Sequence, residues 1–275
     1  MLARLRDVYS QMILFLFLFT LFGAYTFGIA ALANVAAAVA AAVAADMVAN
    51  YCAFKSVALP KSGIITGFLV GLIVPFNYLY AAAGAIIAVA SKHLITRNKK
   101  HIFNPAAFGI IVSSAGLSFS TSWWVATPVL GRFVAAETAT PFVHWVMTAL
   151  AHVPLGLVIL YGIRRAWTAA SFLAAYALLG IFSSIARFGA APAFLSLFDL
   201  TTLFFALFML IEPVTTPSAQ KPMIAFGTLV AAAAFVIRET GPGLTSFLRR
   251  SLLATLPPTC SAKSSGDISA TLVIE

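Results

Sequence analysis

Two proline-bearing turns carry polar side chains that could hold a ligand. The first, Asn104-Pro105, follows a basic loop and opens an apolar stretch. The second, Glu212-Pro213-Val214-Thr215-Thr216-Pro217, places a carboxylate and two hydroxyls between prolines. Proline suits the first turn of a helix because its missing N–H would be unpaired there, and a helix N-terminus attracts negative or electron-rich groups. The two turns predict a polar pocket flanked by helix ends.

Other ionisable side chains fall within or beside apolar runs, where a charge is costly and needs a partner or a purpose. Asp46 and Glu212 lie near predicted ends of membrane spans and could reach the interface, whereas Asp199 is deeper and more suggestive. His144 and His152 are eight residues apart, about 80° around a helix and about 12 Å along it. They cannot be the two axial ligands of one haem, and a haem held by one of them and another histidine is an alternative.

The spacing of charges indicates which elements position these groups. The chain has 275 residues, of which 61% are hydrophobic and 9% charged, and its mean hydropathy is +1.00. No charge falls between Asp7 and Asp46, Lys61 and Lys92, Lys100 and Arg132, or Glu137 and Arg164. Each gap is long enough to cross a bilayer, which takes about 20 apolar residues. A freely soluble protein is excluded, and an all-α polytopic membrane bundle is predicted.

The apolar runs predict nine spans, and a tenth could lie in 241–256. The nine are expected at 11–31, 32–51, 63–75, 77–92, 105–118, 141–163, 167–186, 192–211 and 223–238. The first is interpreted as a retained helix because a second apolar run follows at once. We expect one transmembrane domain over 1–256 and a disordered tail over 257–275, which is aperiodic and bears Ser, Thr and Pro.

Lysine and arginine predict the orientation. With a cytoplasmic N-terminus and alternating spans, eleven of them fall on the cytoplasmic side and six on the other. This bias agrees with the positive-inside rule, and a tenth crossing would strengthen it to fourteen against three. The net charge of +9 is therefore a topology signal, and no nucleic-acid partner is predicted. Cys52 and Cys260 form no CxxC pair, so no metal site or disulfide framework is expected.

Two further patterns suggest an interior more complex than a simple bundle. Gly63, Gly67 and Gly71 share one face of a short segment that ends at Pro75. Such a segment is typical either of a broken helix around a midplane site or of close helix packing without a ligand. Residues 105–112 also resemble 222–230, with one extra residue after the proline. This internal similarity predicts two repeated halves, at about 10–135 and 141–256.

The two turns also carry a family resemblance. Residues 101–109, HIFNPAAFG, resemble the Phe-x-Asn-Pro-Ala signature of the NqrB/RnfD family, the membrane subunits of sodium-pumping NADH:quinone reductase and of the Rnf ferredoxin:NAD complex. Residues 212–217 resemble its second signature, usually Asp-Pro-x-Thr-Ser/Ala-Pro. The loop 92–100 and Ser122-Trp123-Trp124 resemble small stand-alone members. The resemblance covers about residues 55–240.

This resemblance implies a duplicated helical fold, similar to that of urea and ammonium channels, which holds a flavin in the bilayer. The cofactor would be riboflavin or FMN, bound between the two half-bundles. Asn104 and the helix start at Pro105 would contact one edge of the ring, and Thr215 and Thr216 would hydrogen-bond the other. Negative charge on the ring would be stabilised by Lys99 or Lys100.

A covalent FMN is the feature in which this sequence departs from the family pattern. Complex-forming members attach FMN to the threonine of a Ser-Gly-Ala-Thr motif, which aligns with Trp124-Val125-Ala126-Thr127 here. Thr127 matches the attachment residue, but the preceding Ser-Gly is replaced, and glycine there lets an attaching enzyme approach the backbone. A non-covalent flavin is therefore predicted, with Thr127 as the attachment residue in the alternative. A hydroxyl in an interfacial turn beside the tryptophans is a third interpretation of Thr127.

Two functions are predicted, from different classes. The first is an electron-transfer subunit of the bacterial inner membrane, working with partner subunits and with coupled ion movement left open. No catalytic acid or base is needed for electron transfer alone, and the sequence has no nicotinamide-binding glycine-rich unit, so NADH would be oxidised elsewhere. The second is a channel or transporter that keeps the duplicated scaffold without flavin, because broken helices also serve a permeation path.

Overall fold

The computed structural model describes residues 7–55, 58–98, 100–126, 141–189 and 199–255. These ranges contain nine α-helices and little strand, which confirms the all-α membrane bundle. The helices are α1 Val8–Phe27, α2 Ile29–Phe54, α3 Lys61–Ile73, α4 Tyr78–Leu94, α5 Pro105–Leu117, α6 Pro141–Ile163, α7 Ala166–Phe188, α8 Leu200–Phe204 and α9 Gln220–Thr255. A 3₁₀ turn covers Trp124–Ala126, and a π-helix, Phe205–Met209, continues α8.

Helix length separates two classes of element. Among the described residues, Val8–Phe27, Ile29–Phe54, Ala166–Phe188 and Gln220–Thr240 are long and apolar enough to cross a membrane. By contrast, α3 and α5 have 13 residues each. At 1.5 Å per residue they are about 20 Å long, shorter than the roughly 30 Å of a bilayer core.

The chain forms two compact units, Met1–Ala232 and Ala233–Glu275. In the second unit the structure describes the continuation of α9 to Thr255. The stretch 241–255, in which a tenth span could lie, is thus helical but belongs to α9 rather than to a separate helix. The predicted tail, 257–275, lies outside the described residues. Beyond the end of α4 the chain forms a short antiparallel pair of strands, β1 Thr96–Arg97 and β2 Lys100–His101.

Helix α3 lies at the centre of the first unit, and nine of its thirteen residues are buried. Its glycines permit this position because α2 passes directly over them. A Cβ added at Gly67 would lie 2.5 Å from the Cα of Val39, and one at Gly71 would lie 2.7 Å from the Cα of Val35. The glycine stripe therefore allows close packing of α2 on α3.

The C-terminus of α3 is closed by neutral hydrogen bonds. Asn34, which is 1% exposed, donates from Nδ2 to the carbonyl oxygens of Gly71 at 2.9 Å and Val74 at 3.3 Å. Its Oδ1 accepts a bond of 3.1 Å from the backbone N–H of Asn77. Trp124 Nε1 also donates to the Gly71 carbonyl, at 3.0 Å. We call this region the closed end, because buried carbonyls at a helix terminus need such partners.

Candidate functional site

A cavity of about 450 Å³ lies at the other end of α3, within the size range of small-molecule sites. The starts of α1, α3 and α5, the ends of α4 and α6, and the segment from Phe208 to Val214 form its wall. We call this region the cavity end. Most of the lining is apolar, including Met12, Leu69, Phe208 and Ile211. Its polar lining side chains are Tyr9, Ser62, Thr66, Lys92, His101, Asn104 and Glu212.

Asn104 joins the start of α5 to the end of the π-helix. Its Oδ1 accepts a bond of 3.0 Å from the backbone N–H of Ala107, which makes it the N-cap of α5. Its Nδ2 donates to the carbonyl oxygen of Met209 at 2.9 Å. Pro105 occupies the first turn of α5, as predicted from its missing N–H. Asn104 and Pro105, both predicted as site residues, line the cavity.

The π-helix places one aromatic side chain on the cavity wall, which hydropathy could not predict. Leu210 N–H donates to the carbonyl of Phe205, five residues earlier, at 2.8 Å. This wider turn alters which side chains face inward, and such segments occur often at functional sites. Phe208, within it, is buried and lines the cavity. Hydropathy alone could predict only a continuous span at 192–211, whose first residues lie outside the described part.

Glu212 brings the second predicted turn into contact with the first. One carboxylate oxygen lies 2.7 Å from His101 Nε2, and the other accepts a bond of 3.1 Å from the Thr215 hydroxyl. The side chains of His101 and Glu212 are 12% and 21% exposed. The two signature segments, 111 residues apart, therefore meet at the cavity.

The two threonines of the second turn shape the turn itself. The buried Thr216 hydroxyl donates to the Glu212 carbonyl oxygen at 2.6 Å and accepts from Arg165 Nε at 3.1 Å. Arg165 also donates to the Pro213 carbonyl, at 3.4 Å. Neither Thr215 nor Thr216 is among the residues that line the cavity. Their predicted direct contact with a ring stays a prediction.

The remaining predicted site residues do not line the cavity in the described part of the chain. Lys100 is exposed in β2, while Lys99 and Thr127 lie outside the described residues. The positive charge on the cavity wall instead comes from Lys92, in the last turn of α4. The hairpin after α4 places His101 next to Glu212. The basic loop therefore contributes the His101 ring, rather than a lysine, to the cavity wall.

Asp46 forms a charged cluster beside the cavity. It is completely buried within the protein in α2, where it contacts the start of α3 and the end of α4. Lys92 Nζ lies 2.7 Å from one carboxylate oxygen, and His93 Nε2 lies 2.6 Å from the other. Lys92 Nζ also donates to the Ser62 hydroxyl at 2.6 Å. Sequence reasoning singled out Asp46 as an intramembrane acid but had no signal for its partners, which lie 46 and 47 residues away.

The other intramembrane polar residues have structural roles in the described part. Asp199, the more suggestive acid by depth, is the N-cap of α8 and accepts from the Thr202 N–H at 2.6 Å. The buried His152 ring stacks on Phe19, with centroids 4.4 Å apart. The side chain of His144 is not described. No group of three metal-ligating side chains occurs among the described residues.

The side chains that line the cavity could pack against a flat heteroaromatic ring and bond donors and acceptors along its edge. Phe208, Leu69 and Met12 offer apolar surface for the faces of such a ring. Asn104 retains one amide N–H and one acceptor lone pair after its two bonds, so it can pair with a polar edge. Glu212 and Lys92 add charged hydrogen-bonding groups on the same wall. The chemistry of these groups matches what a flavin requires.

Comparison with known proteins agrees with the two signature turns. The model of the NQR2, RnfD, RnfE family matches residues 3–246, which is most of the chain. Comparison with curated proteins gives no match.

Proposed function

Because the chain belongs to the NQR2, RnfD, RnfE family, we propose that it is an electron-transfer subunit holding riboflavin or FMN non-covalently at the cavity end. The coarser statement follows from the family and the helices alone: this is a multi-pass membrane protein related to the membrane subunits of the Na⁺-NQR and Rnf complexes. The observation that supports the flavin is the meeting of the two signature segments at one cavity, through Asn104 to Met209 and His101 to Glu212.

The residues of the cavity end divide the work of binding. Asn104 presents its remaining amide N–H at the start of α5, where the helix dipole also favours electron density. Phe208 and Leu69 cover the faces of the ring and exclude water. Glu212 accepts a hydrogen bond at the edge, and Thr215 fixes its carboxylate. A bound flavin supplies the one- or two-electron chemistry, and the protein supplies position and electrostatics.

We further propose an inner-membrane location with a cytoplasmic N-terminus. The cavity is built from the starts of α1, α3 and α5 and the ends of α4 and α6. Basic residues cluster at these same helix ends, among them Lys61, Lys92, Arg164 and Arg165. By the positive-inside rule, this end faces the cytoplasm. A partner subunit that delivers electrons would therefore dock on the cytoplasmic face. The single membrane domain and its two repeated halves remain part of this proposal.

A channel or transporter without flavin is the second candidate. The short helices α3 and α5, each 13 residues long, favour it, because broken helices also line permeation paths. Colour separates the two functions. A folded but colourless protein that moves a solute into liposomes would support the channel and reject the electron carrier.

Flavin binding to purified protein tests the first candidate. Riboflavin added to the detergent-solubilised full chain should bind, so that the flavin fluorescence is quenched and the protein absorbs at about 450 nm. Asn104→Asp keeps the acceptor that caps α5 but removes both amide N–H donors. We expect it to weaken riboflavin binding about tenfold, which corresponds to one lost hydrogen bond to the ligand.

Ser114→Ala is the matched control for this experiment. Ser114 lies in the same helix, bonds the Ile111 carbonyl at 2.9 Å and does not line the cavity. Its affinity for riboflavin should equal that of the wild type. Equal affinity in Asn104→Asp would reject the site, and absence of binding in the wild type would reject the flavin.

A further inference from the structure

Among the described residues that line the cavity, Lys92 is the one lysine, and there is no arginine. Its ammonium group lies 2.7 Å from Asp46 and 2.6 Å from the Ser62 hydroxyl. An ammonium group has three N–H donors, so these two contacts leave one for the cavity. The side chain is 18% exposed, which is consistent with a charge on the wall of a mostly apolar pocket.

Asp46 is fixed behind Lys92 and away from the cavity. Its side chain is completely buried and is not among the lining residues. The start of α3 packs against it, because a Cβ added at Gly63 would lie 2.8 Å from the Asp46 carboxylate. His93 holds the other carboxylate oxygen at 2.6 Å. These contacts leave the carboxylate little freedom of orientation, so the position of the Lys92 ammonium is determined as well.

Stability alone does not account for such a pair. Removing two charges from water costs about as much as their attraction returns, and apolar residues of similar volume would often stabilise a core equally well. The neighbouring positions on α2 are mostly alanine and valine, which pack against α3 without polar groups. A buried carboxylate beside a cavity-lining lysine is therefore better explained by what the lysine does in the cavity.

We propose that Asp46 is a positioning residue, which holds the Lys92 ammonium on the cavity wall as the cation that meets the electron-rich edge of the bound ring. The inference rests on the proposed function and names Lys92, rather than Lys99 or Lys100, as the stabilising charge. Lys92 favours the more negative, reduced ring over the oxidised ring. Asp46 acts on this preference through Lys92, because it holds the ammonium group at the cavity wall.

Redox titration of the riboflavin-loaded full chain tests the sign. Lys92→Met should lower the ratio of reduced-ring to oxidised-ring affinity about tenfold, which for a two-electron couple is a midpoint about 30 mV more negative. Asp46→Asn keeps the shape of the side chain but removes the charge that holds Lys92. In the Asp46→Asn background, Lys92→Met should therefore shift the midpoint by less than half as much as it does in the wild type. If Asp46 did not position Lys92, the Lys92→Met shift would be the same in both backgrounds.

Lys61→Met is the matched control. Lys61 is a lysine at the start of α3, but it is exposed, pairs with Asp7 and does not line the cavity. Its loss should leave the midpoint unchanged. An undiminished Lys92→Met shift in the Asp46→Asn background, or an equal shift in Lys61→Met, would overturn the proposal.

Thermal unfolding of the protein without flavin tests the contact between Asp46 and Lys92 independently of flavin binding. If Asp46 holds Lys92, each single variant leaves one charged group of the pair without the other, with Asp46 still in contact with His93 or Lys92 with Ser62, and the double variant removes both charges. We expect the midpoint of thermal unfolding of Asp46→Asn with Lys92→Met to recover at least half of the larger single loss. Additive losses would overturn the positioning role even if flavin binds. Recovery without any flavin binding would reject the proposed function while leaving the pairing intact.

Discussion

The two ends of α3 use polar groups in opposite ways. At the closed end Asn34 and Trp124 are neutral, and their bonds run to backbone groups of α3 and of the chain just beyond it. At the cavity end, beside the neutral Asn104, ionisable side chains contact each other, in the pairs Lys92 with Asp46 and His101 with Glu212. At the closed end, polar side chains bond buried backbone groups, whereas at the cavity end pairs of ionisable side chains lie at or beside the cavity. Substitutions at the two ends should therefore separate stability from ligand binding.

The largest loss of stability is expected from Asn34→Ala at the closed end. The substitution removes three hydrogen bonds and leaves the buried Val74 carbonyl without this partner, whereas the Asn77 N–H keeps the Pro75 carbonyl. We expect the free energy of unfolding to fall by about 3 kcal/mol, because the cavity left by alanine adds to the cost of the lost hydrogen bonds. Unfolding of the detergent-purified protein, followed by circular dichroism, measures it.

Thr20→Val is the control for Asn34→Ala. Thr20 is as deeply buried, but its hydroxyl bonds the Leu16 carbonyl one turn earlier in the same helix. That carbonyl keeps its backbone bond, so the loss should be below about 1 kcal/mol. Equal losses in the two variants would mean that the closed end has no special role.

A smaller loss is expected from Gly67→Ala, midway between the two ends. The new Cβ would meet the Val39 Cα at 2.5 Å and the Ala38 carbonyl oxygen at 2.9 Å, so α2 and α3 must separate. We expect destabilisation of about 2 kcal/mol, typical of overpacking. Gly116→Ala on α5 has open space around the added Cβ and should be neutral or slightly stabilising. The same unfolding assay compares them, and equal stabilities would contradict the close packing.

At the cavity end, Glu212→Gln should affect binding more than stability. The carboxylate is partly exposed, so loss of its charge should change the unfolding free energy by less than about 1 kcal/mol. Riboflavin affinity, measured by fluorescence quenching, should fall about five- to tenfold as a charged acceptor is lost. Thr215→Val removes only the hydroxyl that holds Glu212, so its riboflavin affinity should lie between those of Glu212→Gln and the wild type. A large loss of stability with unchanged affinity would reverse the comparison of the two ends.

The smallest effect is expected at the exposed pair of Asp7 with Lys61, which ties the start of α1 to α3 at the rim of the cavity end. The hydrogen bond from Lys61 lowers the pKa of Asp7 below its ordinary value of 3.8. A lowered pKa means that the pair contributes stability above this value and loses it as the pH falls through the folded pKa. Melting curves of wild type and Asp7→Asn should differ slightly at pH 6 and converge below about pH 3.8. A difference in melting temperature that grows as the pH falls would contradict the lowered pKa of Asp7.

The sequence predicted the architecture well because charge spacing and hydropathy are local properties. Apolar runs placed α6 and α7 almost to the residue, and Pro105 marked the start of α5. It also predicted that the two proline-bearing turns lie together. What it missed depends on contacts between distant segments: the pairing of Lys92 with Asp46, the π-helix at Phe208, and the use of Thr216 to bond its own turn.

Blocking the cavity tests the central claim most directly. Val214 lines the cavity yet is 39% exposed, so Val214→Trp should fill the space without disturbing the buried core. We predict that the wild type binds one riboflavin per chain and that Val214→Trp, with an unchanged melting temperature, binds none. Full riboflavin occupancy in a folded Val214→Trp protein would contradict the account, because the ring would then lie somewhere other than between the two signature turns.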